Sequence, residues 1–138
     1  MFYNDFQHGS VTKQTIKSDK VFNLVADLKS RNCGIDGVGF QMHADINWTD
    51  EDIAGIAMNM QRYHDIGIQV QITELEVKCC SNCKDTCPFE VWTTELLQQQ
   101  ADVYSKMYQV CIDEPNCTAT TSWGFTDATP WLGGILIF

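Results

Sequence analysis

Residues 68–76 read Ile-Gln-Val-Gln-Ile-Thr-Glu-Leu-Glu, and this stretch decides the fold class. Its first five residues alternate between β-branched and polar side chains, a period of two that predicts an extended strand. The strand runs directly into two carboxylates, Glu74 and Glu76. Folds built from parallel strands place their functional groups at the carboxyl ends of those strands. The stretch therefore predicts acidic groups at a site, and a solvated turn after the strand is the alternative.

Strand and helix signals alternate along the rest of the chain. We predict strands at residues 2–4, 37–42, 68–72 and 118–123, and helices that open at Ser18, Thr49 and Thr94. This alternation predicts βαβ units and a parallel sheet, an α/β fold. Polar and aromatic residues follow each predicted strand, whereas the opposite connections carry few such groups. That asymmetry favours part of a (β/α)₈ TIM barrel, and an open α/β sheet is the alternative.

Composition limits the classes of partner. The 138 residues suffice for one domain with a core, and 44% of them are hydrophobic. The net charge of −9 and the lack of a Lys or Arg run argue against nucleic acid and anionic membranes as partners. The chain lacks an apolar run long enough to cross a bilayer. Met1 directly precedes the first predicted strand, so we expect a chain that is truncated at this end.

Seven cysteines are many for a protein of this size. Cys111 and Cys117 lie on either side of a short turn, Asp113-Glu114-Pro115-Asn116, and this distance predicts a local disulfide. Cys33 has no near neighbour and is the expected free thiol, since the count is odd. Four more cysteines, at 79, 80, 83 and 87, form a cluster that favours disulfides, with a zinc knuckle as the alternative. No metal or cofactor is predicted, because adjacent cysteines suit tetrahedral zinc poorly and no second Cys-x-x-Cys motif or His pair follows.

Two sequons for N-glycosylation are present, at Asn47-Trp48-Thr49 and Asn116-Cys117-Thr118. Sequons and abundant cysteines are both typical of proteins that fold in an oxidising compartment. Together they predict a secreted, extracellular protein.

Four stretches at the predicted strand ends carry a resemblance to a known family. They are FYNDF at 2–6, IDGVGFQMH at 35–43, ITEL at 72–75 and SWGFTD at 122–127, followed by Trp131. In this order and spacing they resemble glycoside hydrolase family 10, the endo-β-1,4-xylanases. The resemblance covers nearly the whole chain and matches the family domain from about its fifth barrel strand to just past its eighth. It implies that residues 1–138 form the C-terminal half of a (β/α)₈ barrel, a single domain truncated on its N-terminal side.

The resemblance implies a role for each matching residue. Glu74 matches the nucleophile of a retaining glycosidase, and His43 matches a histidine that orients this carboxylate. The residues that match substrate-binding positions are Asn4, Gln41, Trp123 and Trp131. Each has a structural alternative, because a histidine or amide can satisfy the backbone and a tryptophan can lie in the core.

Two departures from the family pattern stand out. The family has Asp two residues after the nucleophile, whereas this chain has Glu76 there, which leaves the contact with His43 open. The family's general acid/base is a Glu that follows an Asn, and this sequence has no Asn-Glu pair. The candidate substitutes are Asp5, Asp45 and Asp127, although each also fits a loop or a helix cap.

Two functions follow from the resemblance. The first is retaining hydrolysis of β-1,4-bonds in xylan, or the nucleophile-bearing half of that activity. The alternative is a non-catalytic carbohydrate-binding or structural half barrel, because the acid/base is missing. An open half barrel has two unpaired strand edges, so we expect a homodimer or a complementing half barrel as a partner, besides xylan or xylo-oligosaccharides.

Overall fold

The computed structural model describes residues 1–79 and 93–124, which form four strands and three helices in strict alternation. The strands are β1 (Phe2–Phe6), β2 (Gly37–Asp45), β3 (Gln69–Lys78) and β4 (Cys117–Ser122), and the helices are α1 (Thr15–Ser30), α2 (Asp50–Asp65) and α3 (Thr94–Asp113). The strands form one sheet in the order β1-β2-β3-β4, and all three pairings are parallel. The predicted α/β fold with four parallel strands and three helices is confirmed. Trp131, Asp127 and Cys80, Cys83 and Cys87 lie outside the described residues.

The apolar core lies between the sheet and the helices. Val38 and Phe40 of β2 and Ile72 of β3 are fully buried there, against Ile56 and Tyr63 of α2. Burying a side chain of this size stabilises the folded state by about 1.5–3 kcal/mol. The opposite face of the sheet carries polar side chains such as Gln71 and Thr73, because successive residues of a strand point to opposite faces.

The helix starts test the capping predictions. Helix α2 opens with the predicted capping box, in which Thr49 and Asp52 bond each other's backbone N–H. Helix α1 begins at Thr15 rather than after Ser18, so that prediction is wrong. Ser18 lies buried within the helix, and its hydroxyl accepts a 2.8 Å hydrogen bond from Arg62 instead of capping the backbone. None of the helices in the described residues is long and apolar enough to span a membrane.

The structure describes four of the seven cysteines, at positions 33, 79, 111 and 117. A disulfide joins Cys111 near the end of α3 to Cys117 at the start of β4. Cys33, in the connection between α1 and β2, is an exposed free thiol. The Cys111–Cys117 bond therefore ties a helix to the strand that follows it.

Asn116 has a structural role that conflicts with glycosylation. Its side chain is buried and donates hydrogen bonds to the Met60 carbonyl at 2.9 Å and the Ile68 carbonyl at 3.1 Å. A glycan on this amide would occupy the space and the donor that the fold uses. The Asn116 sequon is therefore not an acceptor site in the folded chain, whereas Asn47 is exposed.

Candidate active site

Strand β3 contains a bulge at Glu74. Gln41 of β2 lies opposite Thr73, but His43, two residues later, lies opposite Glu76, three residues later. One extra residue of β3 is therefore inserted at this point, which is the definition of a β-bulge. Glu74 takes a left-handed backbone conformation with φ of 55°, as expected for a residue that absorbs such an insertion.

The bulge reverses which residues of β3 face the helices. Before it, the buried core residues are Val70 and Ile72, and after it they are Leu75 and Val77. Without the extra residue, Glu76 would have pointed into this apolar core. With it, Glu76 turns to the polar face of the sheet, the same face on which His43 lies.

His43 lies between two carboxylates. Its Nδ1 is 2.7 Å from Glu76 Oε1, and its Nε2 is 3.4 Å from Glu74 Oε2. Glu76 is fully buried, whereas 19% of the Glu74 side chain and 21% of the His43 side chain are exposed. The buried carboxylate thus fixes the ring, and the ring in turn contacts the exposed carboxylate.

The sequence left open whether Glu76, which stands where the family has Asp, contacts His43. The longer side chain of Glu does reach His43, and the contact has the length of a charge-assisted hydrogen bond. Lys78 Nζ lies 3.8 Å from the same Oε1 atom of Glu76. Two cationic or protonatable groups therefore face the buried carboxylate, which offsets part of its cost of burial.

A cleft of about 960 Å³ opens at the carboxyl edge of the sheet. The predicted site residues Gln41, His43 and Glu74 line it. Residues that the sequence did not single out also line it, among them Phe6, Lys13, Lys17, Trp48 and Lys78. Phe6 and Lys78 end β1 and β3, Lys13 and Trp48 lie in the connections after β1 and β2, and Lys17 lies in the first turn of α1. The rule that sites gather at the carboxyl ends of strands would therefore have found most of them.

The predicted substrate-binding residues occupy different places. Gln41 lines the cleft, but Asn4 does not, and its side chain accepts a 2.8 Å hydrogen bond from Thr73 Oγ1 instead. Trp123 is 40% exposed and meets His43 edge-on, with 6.5 Å between ring centroids. Asn4 is therefore placed to support the residue before Glu74, whereas Trp123 forms a wall beside the imidazole. Trp131 lies outside the described residues.

The aspartates considered as acid/base substitutes differ in availability. Burial acts to raise the pKa of Asp5, but hydrogen bonds from Lys17, the Phe6 N–H and Tyr3 outweigh it and lower that pKa. An ionised, ion-paired Asp5 is a poor general acid, and its side chain does not line the cleft. Asp45 does line the cleft, while its Oδ1 accepts a hydrogen bond from the Asn47 N–H.

Comparison with known proteins places the chain in a family. The sequence model of glycosyl hydrolase family 10 matches residues 1–137. The chain is 31% identical over 134 residues to endo-1,4-beta-xylanase B of Thermotoga neapolitana, covering 97% of this chain and 35% of the relative. It is 30% identical over 135 residues to an endo-1,4-beta-xylanase of Agaricus bisporus, covering 98% of this chain and 36% of the relative. The chain thus spans about a third of the length of these relatives.

Solved structures agree with the sequence comparison. Xylanase 10B of Thermotoga maritima is 31% identical and superposes with a TM-score of 0.78, which covers 94% of this chain and 36% of that one. Xylanase 10B of Thermotoga petrophila, solved with xylobiose, gives a TM-score of 0.76 at 30% identity, with the same two coverages. The four strands and three helices correspond to part of the TIM barrel of these xylanases. The chain belongs to glycosyl hydrolase family 10.

Proposed function

We propose that this protein is a retaining endo-β-1,4-xylanase in which Glu74 is the nucleophile. The observation that carries the proposal is the placement of Glu74, which lines the cleft and contacts His43 at 3.4 Å. His43 is held in turn by Glu76, whose side chain is fully buried. A nucleophile that contacts a second group, itself oriented by a third, is an arrangement typical of covalent catalysis.

In the proposed reaction the Glu74 carboxylate attacks the anomeric carbon of a xylose residue as the glycosidic bond breaks. The glycosyl-enzyme intermediate is then hydrolysed by water, which restores the carboxylate. His43 keeps one Glu74 oxygen in place, and Trp123 supplies an apolar wall beside it. A second carboxylate, about 5–5.5 Å away, acts as acid and then base in this mechanism. This chain has no Asn-Glu pair, so the step that we assign to its own residues is the attack by Glu74.

The substrate we propose is a β-1,4-linked xylan chain. Its support is the xylanase family itself and the relatives that were solved with xylobiose and with xylotriose. The cleft volume of about 960 Å³ is of the size that accommodates several sugar rings, and it carries both aromatic and hydrogen-bonding side chains.

The test is the burst release of dinitrophenol from an aryl β-xylobioside. This leaving group needs little protonation, so the assay reports on the nucleophile without the general acid. We expect a burst that disappears in Glu74→Gln and persists in Glu114→Gln, a matched change at the far end of α3. Binding of xylo-oligosaccharides without any burst would favour the alternative, a non-catalytic binding module. Absence of both would contradict the proposal.

We also propose that further strands close the sheet, from a second copy or from a complementing half barrel. Within the described residues β1 pairs only with β2 and β4 only with β3, so each has an unpaired edge. Phe2 and Phe6 of β1 are 39% and 49% exposed. Unpaired edges with apolar side chains favour association. A solution mass equal to one monomer would contradict this proposal.

An extracellular location is a further proposal. The Cys111–Cys117 disulfide and the exposed sequon at Asn47 support it, whereas the Asn116 sequon does not. We expect a eukaryotic secretion host to release the protein with one glycan, detected as a mass loss on deglycosylation that Asn47→Gln abolishes. Protein that is retained in the cell would argue against this location.

A further inference from the structure

The second N-glycosylation sequon overlaps a disulfide bond. The sequon is Asn116-Cys117-Thr118, and its middle residue is bonded to Cys111, six residues earlier in the chain. A sequon consists of the acceptor Asn and a hydroxyl residue two positions later. The ring that the disulfide closes therefore contains the acceptor, so the state of the two sulfur atoms constrains where the Asn116 side chain lies.

Asn116 is turned inward within a segment that is otherwise largely exposed. Thr118, the other half of the sequon, is exposed, and so is Pro115 directly before the acceptor, whereas Asn116 itself is 7% exposed. Its Nδ2 donates to the Met60 carbonyl at 2.9 Å and to the Ile68 carbonyl at 3.1 Å. The burial of this one side chain is thus what separates the sequon from solvent.

The hydrogen bonds of Asn116 offset only part of the cost of burying it. Its Oδ1 atom is buried and has no hydrogen-bond partner among the described residues. A buried acceptor without a partner costs free energy. The disulfide restricts the open conformations of the segment that it closes, and so favours the buried arrangement. Without this bond, the balance shifts toward conformations in which Asn116 meets solvent.

We propose that Asn116 is a redox-gated site of N-glycosylation, open while Cys111 and Cys117 are thiols and closed once they are bonded. The inference goes beyond xylan hydrolysis and rests on the proposed extracellular location, since both reactions belong to the oxidising compartment in which secreted proteins fold. A glycan on Asn116 would take the Nδ2 donor and the space beside Met60 and Ile68. A chain with the closed, buried arrangement therefore does not carry this glycan.

The two reactions are different chemistries at neighbouring residues. In glycosylation, Asn116 Nδ2 loses a proton and forms a bond to the anomeric carbon of a lipid-linked oligosaccharide, from which the lipid pyrophosphate leaves. In closure, the thiols of Cys111 and Cys117 lose two protons and two electrons to an oxidised disulfide oxidoreductase, which becomes a dithiol. Closure before the oligosaccharide is transferred therefore leaves Asn116 unmodified.

The test counts glycans on the chain, translated with a signal peptide in the presence of endoplasmic reticulum microsomes. Under oxidising conditions we expect the unaltered protein to carry one glycan, on the exposed Asn47. Cys111→Ser leaves the sequon intact but prevents closure, and we expect it to carry a second glycan, which an added Asn116→Gln removes. Dithiothreitol present during translation should give the unaltered protein the same second glycan. Gel mobility before and after treatment with peptide N-glycosidase measures each number.

Two controls separate the disulfide from other effects. Cys33→Ser removes an exposed free thiol outside the sequon and the disulfide, and it should keep one glycan. Val25→Ala weakens the core but leaves both Cys111 and Cys117 in place, and it should also keep one glycan. A second glycan on Val25→Ala would show that overall folding rather than the disulfide closes the site, and would overturn the inference.

The remaining outcomes each decide a defined claim. A glycan on Asn47 alone in Cys111→Ser, or a glycan on Asn116 in unaltered protein with the disulfide closed, would overturn the inference while leaving the proposed location in place. A glycan on Asn116 in Cys111→Ser with none on Asn47 would support the gate and contradict only the assignment of Asn47. Absence of glycans from every variant would overturn both this inference and the proposed glycan on Asn47. The nucleophile assignment is tested separately, by the burst assay.

Discussion

Strand β3 has a regular first half, residues 69–73, and a bulged second half, residues 74–78. In the first half, core and polar residues alternate. Asn116 donates a hydrogen bond to the carbonyl of Ile68, the residue directly before the strand. In the second half, Glu74 takes a φ of 55°, and a buried carboxylate faces an imidazole. The first half holds the sheet together, and the second presents the chemical groups. The comparison teaches that a single inserted residue separates the two tasks within one strand.

The difference should appear most strongly in the response to changes at Glu76. Glu76→Gln removes the charge that fixes the His43 ring, and we expect the rate of dinitrophenol release to fall about a hundredfold, as misplacement of a reacting group does. Glu76→Asp keeps the charge on a shorter arm and should restore part of the rate. Stopped-flow kinetics measures both variants. If Glu76→Gln has the rate of the unaltered protein, Glu76 does not position the site.

The regular half should respond in stability rather than rate. Asn116→Ala removes the donor for the Met60 and Ile68 carbonyls, and we expect a loss of about 2 kcal/mol in the free energy of unfolding. The burst rate of the folded fraction should stay unchanged. Urea denaturation measures the loss, and Gln109→Ala, on the surface of α3, is the control with an expected effect within about 0.5 kcal/mol. A large change in burst rate for Asn116→Ala would contradict the claim that the first half of β3 affects stability and not the reaction rate.

The two halves of β3 should also differ in whether glycine or alanine gives the more stable variant. At Glu74, glycine fits the left-handed conformation, so Glu74→Gly should be more stable than Glu74→Ala by about 1 kcal/mol. At Gln71, in regular strand, the order should reverse, with alanine more stable than glycine by about 0.5–1 kcal/mol. Denaturant midpoints of the four variants test this. The same order at both positions would mean that Glu74 is not at a bulge.

A second comparison concerns His8, in the connection after β1, and His43 of β2. His43 lies between carboxylates, whereas His8 is fully buried between the rings of Tyr3 and Phe40, and burial lowers its pKa below 6.5. As pH falls below about 6.5, the unfolded chain binds a proton at His8 that the folded chain does not. We therefore expect stability to decrease over this range and His8→Phe to reduce the decrease, measured by thermal unfolding at several pH values. An identical pH profile for the variant would contradict a neutral, buried His8.

The sequence predicted the fold where local patterns and tertiary structure agree. Period-two alternation gave the start of β3, and the box of Thr49 and Asp52 gave the start of α2. The prediction that Ser18 caps α1 was wrong, because its hydroxyl accepts a hydrogen bond from Arg62 inside the folded protein. Arg62 lies more than forty residues away in the sequence, so a local sequence pattern could not have indicated this contact. The predicted strand also ended too early, at Ile72, because a bulge breaks the alternation on which the prediction depended.

The site was predictable in its residues more than in its geometry. Glu74, His43 and Gln41 were found through the family resemblance, and the structure brings all three to one cleft. The reach of Glu76 to His43 depends on the bulge, and the place of Lys13 in the cleft, near Trp48, depends on tertiary structure. Both are relations between distant residues, so neither could be read from sequence spacing.

The measurement that tests the central claim most directly is covalent trapping of the nucleophile. A 2-deoxy-2-fluoro-β-xylobioside with a dinitrophenyl leaving group slows the breakdown of the glycosyl-enzyme, so the adduct can be digested and located by mass spectrometry. The bulged end of β3 predicts a fluoroxylobiosyl adduct on Glu74, which is absent from Glu74→Gln and present in Glu114→Gln. An adduct on another carboxylate, or the same labelling in Glu74→Gln, would contradict the assignment of Glu74 as the nucleophile.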